Sequence, residues 1–454
     1  MKLRAAGRLD DAIDAYRSIV ATNPADRIAW HNLAAALGDT GRFGAAESAC
    51  RRAQELGLDA GETWLVLGRA LQAQQRLDEA EAALTHAIDK RPDDAAAQRD
   101  FAQLVWMRTG NADTALERFR HTLARSPGNL NLQLTFARVL GQVGLADEGL
   151  QYAGQAAALA PGSEIVQTAA AYAASAASQP DQALGFARAA LALAPQHKPA
   201  GMAEVQALLA MGDARTADVR TQALRQQDPH DQFLVAMQTT AWRLLGDERY
   251  AAMCDYTKLV DAYPLSAPTG WHSPEQYLSD VVEALDELHP FDAHPFDQSV
   301  KDAGSQITHI ERFDDHPALK AWPHAVLPAL RAYLDGNDLA GPLRSEADTA
   351  LIKRFQTWSV RLLQSGRHTD HVHPNGIVSS ACHLSTPAGL MHGPAGWLRF
   401  GKPGIATEPD LEAEYHLRPE PGMMVFFPSY IWHGVTPFAG DGTRLTVAMD
   451  VAQT

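Results

Sequence analysis

The sequence predicts a multidomain chain: an all-α repeat solenoid, then a mostly β domain of the double-stranded β-helix (jelly-roll) class with flanking helices. Three observations predict it. Small residues, glycines and prolines recur at one fixed spacing through the first 264 residues. The composition then shifts towards aromatic, β-branched, histidine and proline residues. Short alternating runs separated by Gly/Pro turns follow, without the intervening helices that a parallel α/β sheet requires.

The repeat shows in several independent series. Prolines fall at Pro24, Pro92, Pro127, Pro161, Pro195, Pro229 and Pro264, 34 or 35 residues apart, with one doubled gap where Leu58 stands in for proline. Ala12, Ala46, Ala80, Ala115, Gly149, Ala183, Ala217 and Ala251 form a second series, and Gly7, Gly41, Gly110, Gly144, Gly212 and Gly246 mark turns between paired helices. Trp30 and Trp64 are also 34 apart. A small side chain lets two antiparallel helices approach closely. Glycine permits the tight turn, and proline stops the second helix. The pattern resembles the tetratricopeptide repeat. Such arrays stack into a superhelix whose groove binds a peptide or another protein; scaffolding of the following domain is the equal alternative. Met1 to Ala6 supplies only the last part of a first helix, so either the native start lies upstream or the first repeat is half-formed.

Composition excludes several classes. The 454 residues suffice for two or three domains, and 46% hydrophobic residues suffice for sizeable cores. The net charge of −15, with no Lys/Arg-rich run, argues against nucleic acid as a partner. No apolar stretch approaches eighteen residues, and the N-terminus lacks the apolar core of a signal peptide, so neither a membrane nor export is expected. Cys50, Cys254 and Cys382 are scattered, which fits a reducing cytoplasm and not a disulfide framework or a cysteine zinc site.

The expected boundaries are 1–264 for the repeats, 265–289 for a linker and connecting helix, and 290–454 for the β domain. Leu265 to Gly270 reads as the linker, and Pro274 to Leu288 as an amphipathic helix. Asp315-His316-Pro317 is a helix start. The helix from Ala318 to Leu334 is expected to kink or split at Pro323 and Pro328. Strands are expected at Thr357–Leu362, Val378–Leu384, Gly396–Phe400, Met423–Phe427 and Leu445–Val451.

The chemistry concentrates around His371-Val372-His373-Pro374. On an extended strand, residues two apart point to the same side. His433, 60 residues beyond His373, can close one face of a metal. Imidazole suits iron, zinc and copper. A rival pair, His368 and Asp370, opens like a two-histidine, one-carboxylate triad. Its parity is opposite to that of 371 and 373, so a regular strand would not present both pairs to one ion; a bulge would break that rule. Arg444 and Thr446 share a strand face, and a guanidinium with a hydroxyl can grip a carboxylate. Trp397, Phe427 and Trp432 are candidate walls or core.

Together these segments resemble a bacterial branch of the iron(II)/2-oxoglutarate-dependent dioxygenases found behind tetratricopeptide repeats. The resemblance runs from about Pro290 to Val451. It rests on His371-Val372-His373-Pro374-Asn375-Gly376, Ser379-Ser380, Pro419-Glu420-Pro421-Gly422, Phe427-Pro428-Ser429, His433 and Arg444-Leu445-Thr446. It implies Fe(II) at His371, His373 and His433, with Asp370 as the reserve third ligand, and 2-oxoglutarate at Arg444 and Thr446. It further implies dioxygen as co-substrate, with succinate and carbon dioxide released as a peptide, protein or small metabolite is hydroxylated. The sequence departs from the family pattern at Ile377, at Cys382-His383, where paired aromatics are common, and at Gln298–Gly304. The competing expectations are a binding scaffold whose β domain is inactive, and a zinc-bound jelly-roll enzyme.

Overall fold

The structure is a computed structural model that describes residues 8–289, 293–296, 298–308, 310, 316–337, 341–387, 393–440 and 442–453. It comprises two compact units, Met1–Val139 and Leu140–Thr454. Gly7 and the segment Met1–Ala6 lie outside the described residues, as does Asp315.

In the first unit, helices pair as Arg27–Asp39 with Phe43–Glu55 and Gly61–Ala73 with Leu77–Lys90. The small-residue series sits where the helices meet: Ala12, Ala46, Ala80 and Ala115 are at most 2% exposed. Asp26 and Asp94 cap their helices by accepting backbone N–H bonds from the second and third helical residues. The turn glycines adopt left-handed φ, 76° at Gly41 and 62° at Gly110. Gln75 takes the same conformation (φ 62°) at the equivalent place in its repeat. The turn geometry is therefore imposed by helix pairing even where the residue does not favour it.

The second unit continues the helices and adds the β domain. Ala183 and Ala217 are fully buried, and Gly144, Ser178, Gly212 and Gly246 again adopt left-handed φ. The series fails at its last member. After helix Gln232–Leu245 only two short helices, Arg249–Met253 and Tyr256–Leu259, follow, and Ala251 is exposed. The chain then enters a sheet at Asp261–Pro264, four residues that the periodicity gave to the repeats.

Two antiparallel sheets form the β domain. The first has strand order β1-β9-β6-β11-β4-β3: β1 (Asp261–Pro264), β9 (Met423–Pro428), β6 (Gly376–Ser385), β11 (Arg444–Ala452), β4 (Phe355–Leu362) and β3 (Gly304–Thr308). The second has order β2-β5-β10-β7-β8: β2 (Val300–Lys301), β5 (Arg367–His371), β10 (His433–Val435), β7 (Leu398–Phe400) and β8 (Tyr415–Leu417). The five strands expected from alternation are all present; β1, β2, β8 and β10 have two to four residues and show no period.

The first sheet is covered on both faces. Leu445, Val447, Met449 and Val451 of β11 pack with helices Pro274–Leu288 and Trp322–Gly336. Val360, Val425 and Phe427 pack towards Leu398, Phe400 and Val435 of the second sheet. The expected helix at 318–334 splits at Ala321 into Pro317–Lys320 and Trp322–Gly336. Pro323 sits in the first turn of the second piece, where its missing N–H costs no helical bond, and Pro328 is accommodated inside it.

Helix Gln232–Leu245 is buried along nearly its whole length because the β domain covers what the previous repeat does not. Trp432 Nε1 donates to Thr240 Oγ1 (2.9 Å). The Gln232 amide donates to the Pro374 carbonyl (3.1 Å), and Arg243 Nη1 to the Gly401 carbonyl (2.8 Å). Two of these contacts adjoin His433 and His373. Cys50, Cys254 and Cys382 are buried free thiols. Among the described residues no helix is long and apolar enough to cross a membrane.

Candidate active site

One face of β11 lays out a wall of the site. Arg444, Thr446 and Ala448 line a cavity between the sheets. Asp450, next on the same face, bonds a histidine at its end. The two-residue period of a strand places these four side chains in file.

The opposite wall supplies imidazoles. His371, the last residue of β5, is registered against His433, the first of β10. His373 follows β5 in a segment held by its amide to the Ser429 carbonyl (3.0 Å). One ring nitrogen from each of His371, His373 and His433 lies within 4.8 Å of the others. The rings are oriented by their other nitrogens. His371 Nδ1 donates to the Thr369 carbonyl (2.8 Å) and His433 Nδ1 to the Ile431 carbonyl (3.0 Å), each two residues back in the chain. His373 Nδ1 donates to Asp450 Oδ2 (2.5 Å). With each Nδ1 carrying its proton, each Nε2 is left as a lone-pair donor. His373 Nε2 is buried and has no hydrogen-bond partner. Burial pushes His371 down to about 3 and His433 well below the ordinary histidine range. Neutral imidazole is the form a metal requires.

Asp450 also accepts from Ser379 Oγ (2.7 Å), which fixes the carboxylate. Gly376 leaves the space for this arrangement: a Cβ there would lie 2.4 Å from Ser429 Oγ, which itself bonds Ser379. Asp450→Ala is therefore expected to weaken metal affinity by about 10–100-fold, the usual cost of losing an outer partner. Metal titration of the variant checks this.

A bulge decides the rival pair. His433 opposes His371, but Val435 opposes His368, so one strand has an extra residue. His368 thereby joins His371 on the cavity face, with ring centroids 4.7 Å apart, and the parity expectation fails for it. Its Nε2 shares a hydrogen bond with Ser299 Oγ (2.7 Å). Asp370, the reserve ligand, does not join the three histidines. It forms a bidentate pair with Arg399 (2.8 and 2.5 Å), in space left by Gly434. Burial pushes the Asp370 carboxyl up, against the pull of Arg399.

Arg444 is 2% exposed. Its Nη1 donates to Thr446 Oγ1 (3.0 Å) and its Nη2 to His383 Nδ1 (3.2 Å); its Nε has no partner. Among the described residues no carboxylate pairs with it. Burial pushes the guanidinium down to about 9, so it stays charged at neutral pH. A buried cation without a counterion is costly unless a ligand supplies one.

Of the candidate aromatic walls, Phe427 lines the cavity and packs against His433 (ring centroids 4.5 Å). Trp432 does not: as the neighbour of His433 it points the other way, to Thr240, Phe233 and Val372. Trp397 is not among the lining residues. The sequence reading did not single out Trp358, which stacks on His373 (5.1 Å), or Asp450. Asp450 was within reach, since it extends the 444, 446, 448 alternation by one step.

Residues 356–450 match the family model described as "Putative 2OG-Fe(II) oxygenase", and residues 2–61 and 65–129 match that of the tetratricopeptide repeat. The chain thus carries tetratricopeptide repeats and a segment that matches the 2OG-Fe(II) oxygenase model. His371, His373, His433 and Arg444 all fall inside the oxygenase match. Solved structures with similar repeats include YrrB, a TPR protein with an unusual peptide-binding site (18% identity, TM-score 0.27, covering 42% of this chain and 97% of that one). MamA is also similar (25%, 0.28, 35% and 92%). So is a tetratricopeptide repeat protein from Parabacteroides merdae ATCC 43184 (12%, 0.38, 53% and 94%). No curated protein matches.

Proposed function

We propose that the chain is an iron(II)- and 2-oxoglutarate-dependent dioxygenase that hydroxylates a peptide, protein or small metabolite. The β domain carries the chemistry, and the helical repeats that precede it recruit a peptide or protein. One observation carries this reading: three imidazoles with converging ring nitrogens and an unneutralised buried guanidinium line the same cavity. The donor set fits iron(II), with the orphaned His373 Nε2 completing it.

In this reading His371, His373 and His433 hold the metal through Nε2, and Asp450 and two backbone carbonyls keep those rings in the binding tautomer. Arg444, with Thr446, binds the distal carboxylate of 2-oxoglutarate by charge-assisted hydrogen bonds. Leu398, Phe427, Val435 and Ala448 give the cavity apolar walls that exclude water. When bound with 2-oxoglutarate and dioxygen, iron supplies an oxidant strong enough for an unreactive C–H bond, and the protein supplies orientation and a dry site. Binding energy thus goes into positioning the co-substrate beside the metal.

The test is succinate release by the full chain, with iron(II) and 2-oxoglutarate both required and zinc unable to replace iron. An anaerobic titration should also show the visible charge-transfer band of the ternary complex. An iron-loaded protein that neither binds 2-oxoglutarate nor turns it over, even uncoupled from substrate, would overturn the reading.

A further inference from the structure

The Arg444 guanidinium is held by two neutral acceptors and by nothing else among the described residues. Thr446 Oγ1 takes one N–H and His383 Nδ1 takes another, at 3.0 and 3.2 Å. His383 belongs to β6, registered across from Thr446, and is fully buried. Because its Nδ1 accepts, its proton resides on Nε2, which is also buried and has no partner. His383 stands where the resemblance leads one to expect an aromatic residue.

The choice of imidazole has a physical consequence. A carboxylate at this place would orient the guanidinium equally well but would cancel its charge. An aromatic hydrocarbon would keep the charge but provide no acceptor. A neutral imidazole orients the fork and leaves its charge intact. Two of the five guanidinium N–H groups are then used for orientation, and three remain for a ligand. Burial favours the neutral form of His383, and the adjacent cation reinforces it.

We propose that His383 is a specificity-determining positioning residue: it holds the Arg444 fork without neutralising it, so that the site selects 2-oxo acids bearing a distal carboxylate. This rests on the 2-oxoglutarate reading of Arg444. Two ligands separate the parts: 2-oxoglutarate, and pyruvate, which shares the 2-oxo acid end and lacks the distal carboxylate.

The experiment is an anaerobic calorimetric titration of the iron(II)-loaded full chain with each acid. His383→Phe is expected to weaken 2-oxoglutarate binding by about 10–100-fold, as for loss of a hydrogen bond to a charged group. Pyruvate and iron(II) affinities should not change, and KM for 2-oxoglutarate should rise while kcat at saturation holds. His383→Asn places an acceptor near the Nδ1 position and should recover most of the loss. His383→Gln places it near Nε2 and should not. If His383→Phe fails to fold, the Asn and Gln variants decide, and equal behaviour of the two overturns the proposal. Wild-type discrimination in a folded His383→Phe overturns it too, and leaves the reading of Arg444 standing. A wild-type protein that binds both acids equally, unaffected by Arg444→Met, removes the 2-oxoglutarate reading and this inference with it.

Discussion

His433→Ala is expected to abolish stoichiometric iron(II) binding, and with it all 2-oxoglutarate-dependent turnover. The loss should exceed the roughly 10–100-fold that removal of an outer partner costs, because one of three ligating atoms disappears. The fold should survive. The His433 Nδ1 bond goes to the Ile431 carbonyl two residues away and ties no distant elements together. Phe427 and Val435 remain to close the space between the sheets. Calorimetric metal titration with a parallel thermal melt separates the two effects. Wild-type iron affinity in a folded His433→Ala variant would sink the three-histidine site.

Arg444→Met should produce an opposite pair of effects. Binding of 2-oxoglutarate should fall by about 100-fold or more, since a buried charge-assisted contact to a carboxylate is lost. The ligand-free protein should nevertheless become more stable, by about 1–4 kcal/mol, because an unpaired buried cation is replaced by an apolar chain of similar length. The pH dependence has a definite sign. The folded state holds the guanidinium at about 9 against an ordinary 12.5. Between those values the unfolded chain binds more protons than the folded one. Stability contributed by this position therefore rises with pH through that window, and the variant should lose the rise. An Arg444 that served only to hold the fold would give the reverse, a lower melting temperature with 2-oxoglutarate binding intact.

The two halves of the chain were legible to different depths. The repeat was plain because helix pairing demands a small residue and a left-handed turn once per period, and Ala46, Ala80, Gly41 and Gly110 meet those demands. It became misleading at Ala251 and Pro264, where the spacing continues but the second helix and the repeat do not. The long strands of the β domain were legible because burial on one or both faces fixes their side-chain alternation. The short β1, β2, β8 and β10 offered no period to read.

Within the site, residues linked by local geometry were visible. His371 and His373, and Arg444 and Thr446, are two apart on extended chain. Parity also foretold that Asp370 would turn away from them. It failed for His368, because the bulge between the positions opposite His433 and Val435 adds one residue to β5, and a bulge leaves no mark in composition.

By itself the sequence determined the repeat class and the β character of the second half, and it named His371, His373, His433 and Arg444 as candidates. These follow from local rules: propensity, spacing and side-chain chemistry. Only the tertiary structure decided that His433 meets His371 across a strand pair, that Asp450 tethers His373, and that His383 backs Arg444. Those pairings join residues 61 to 77 positions apart, and their geometry depends on strand register, which no local pattern specifies.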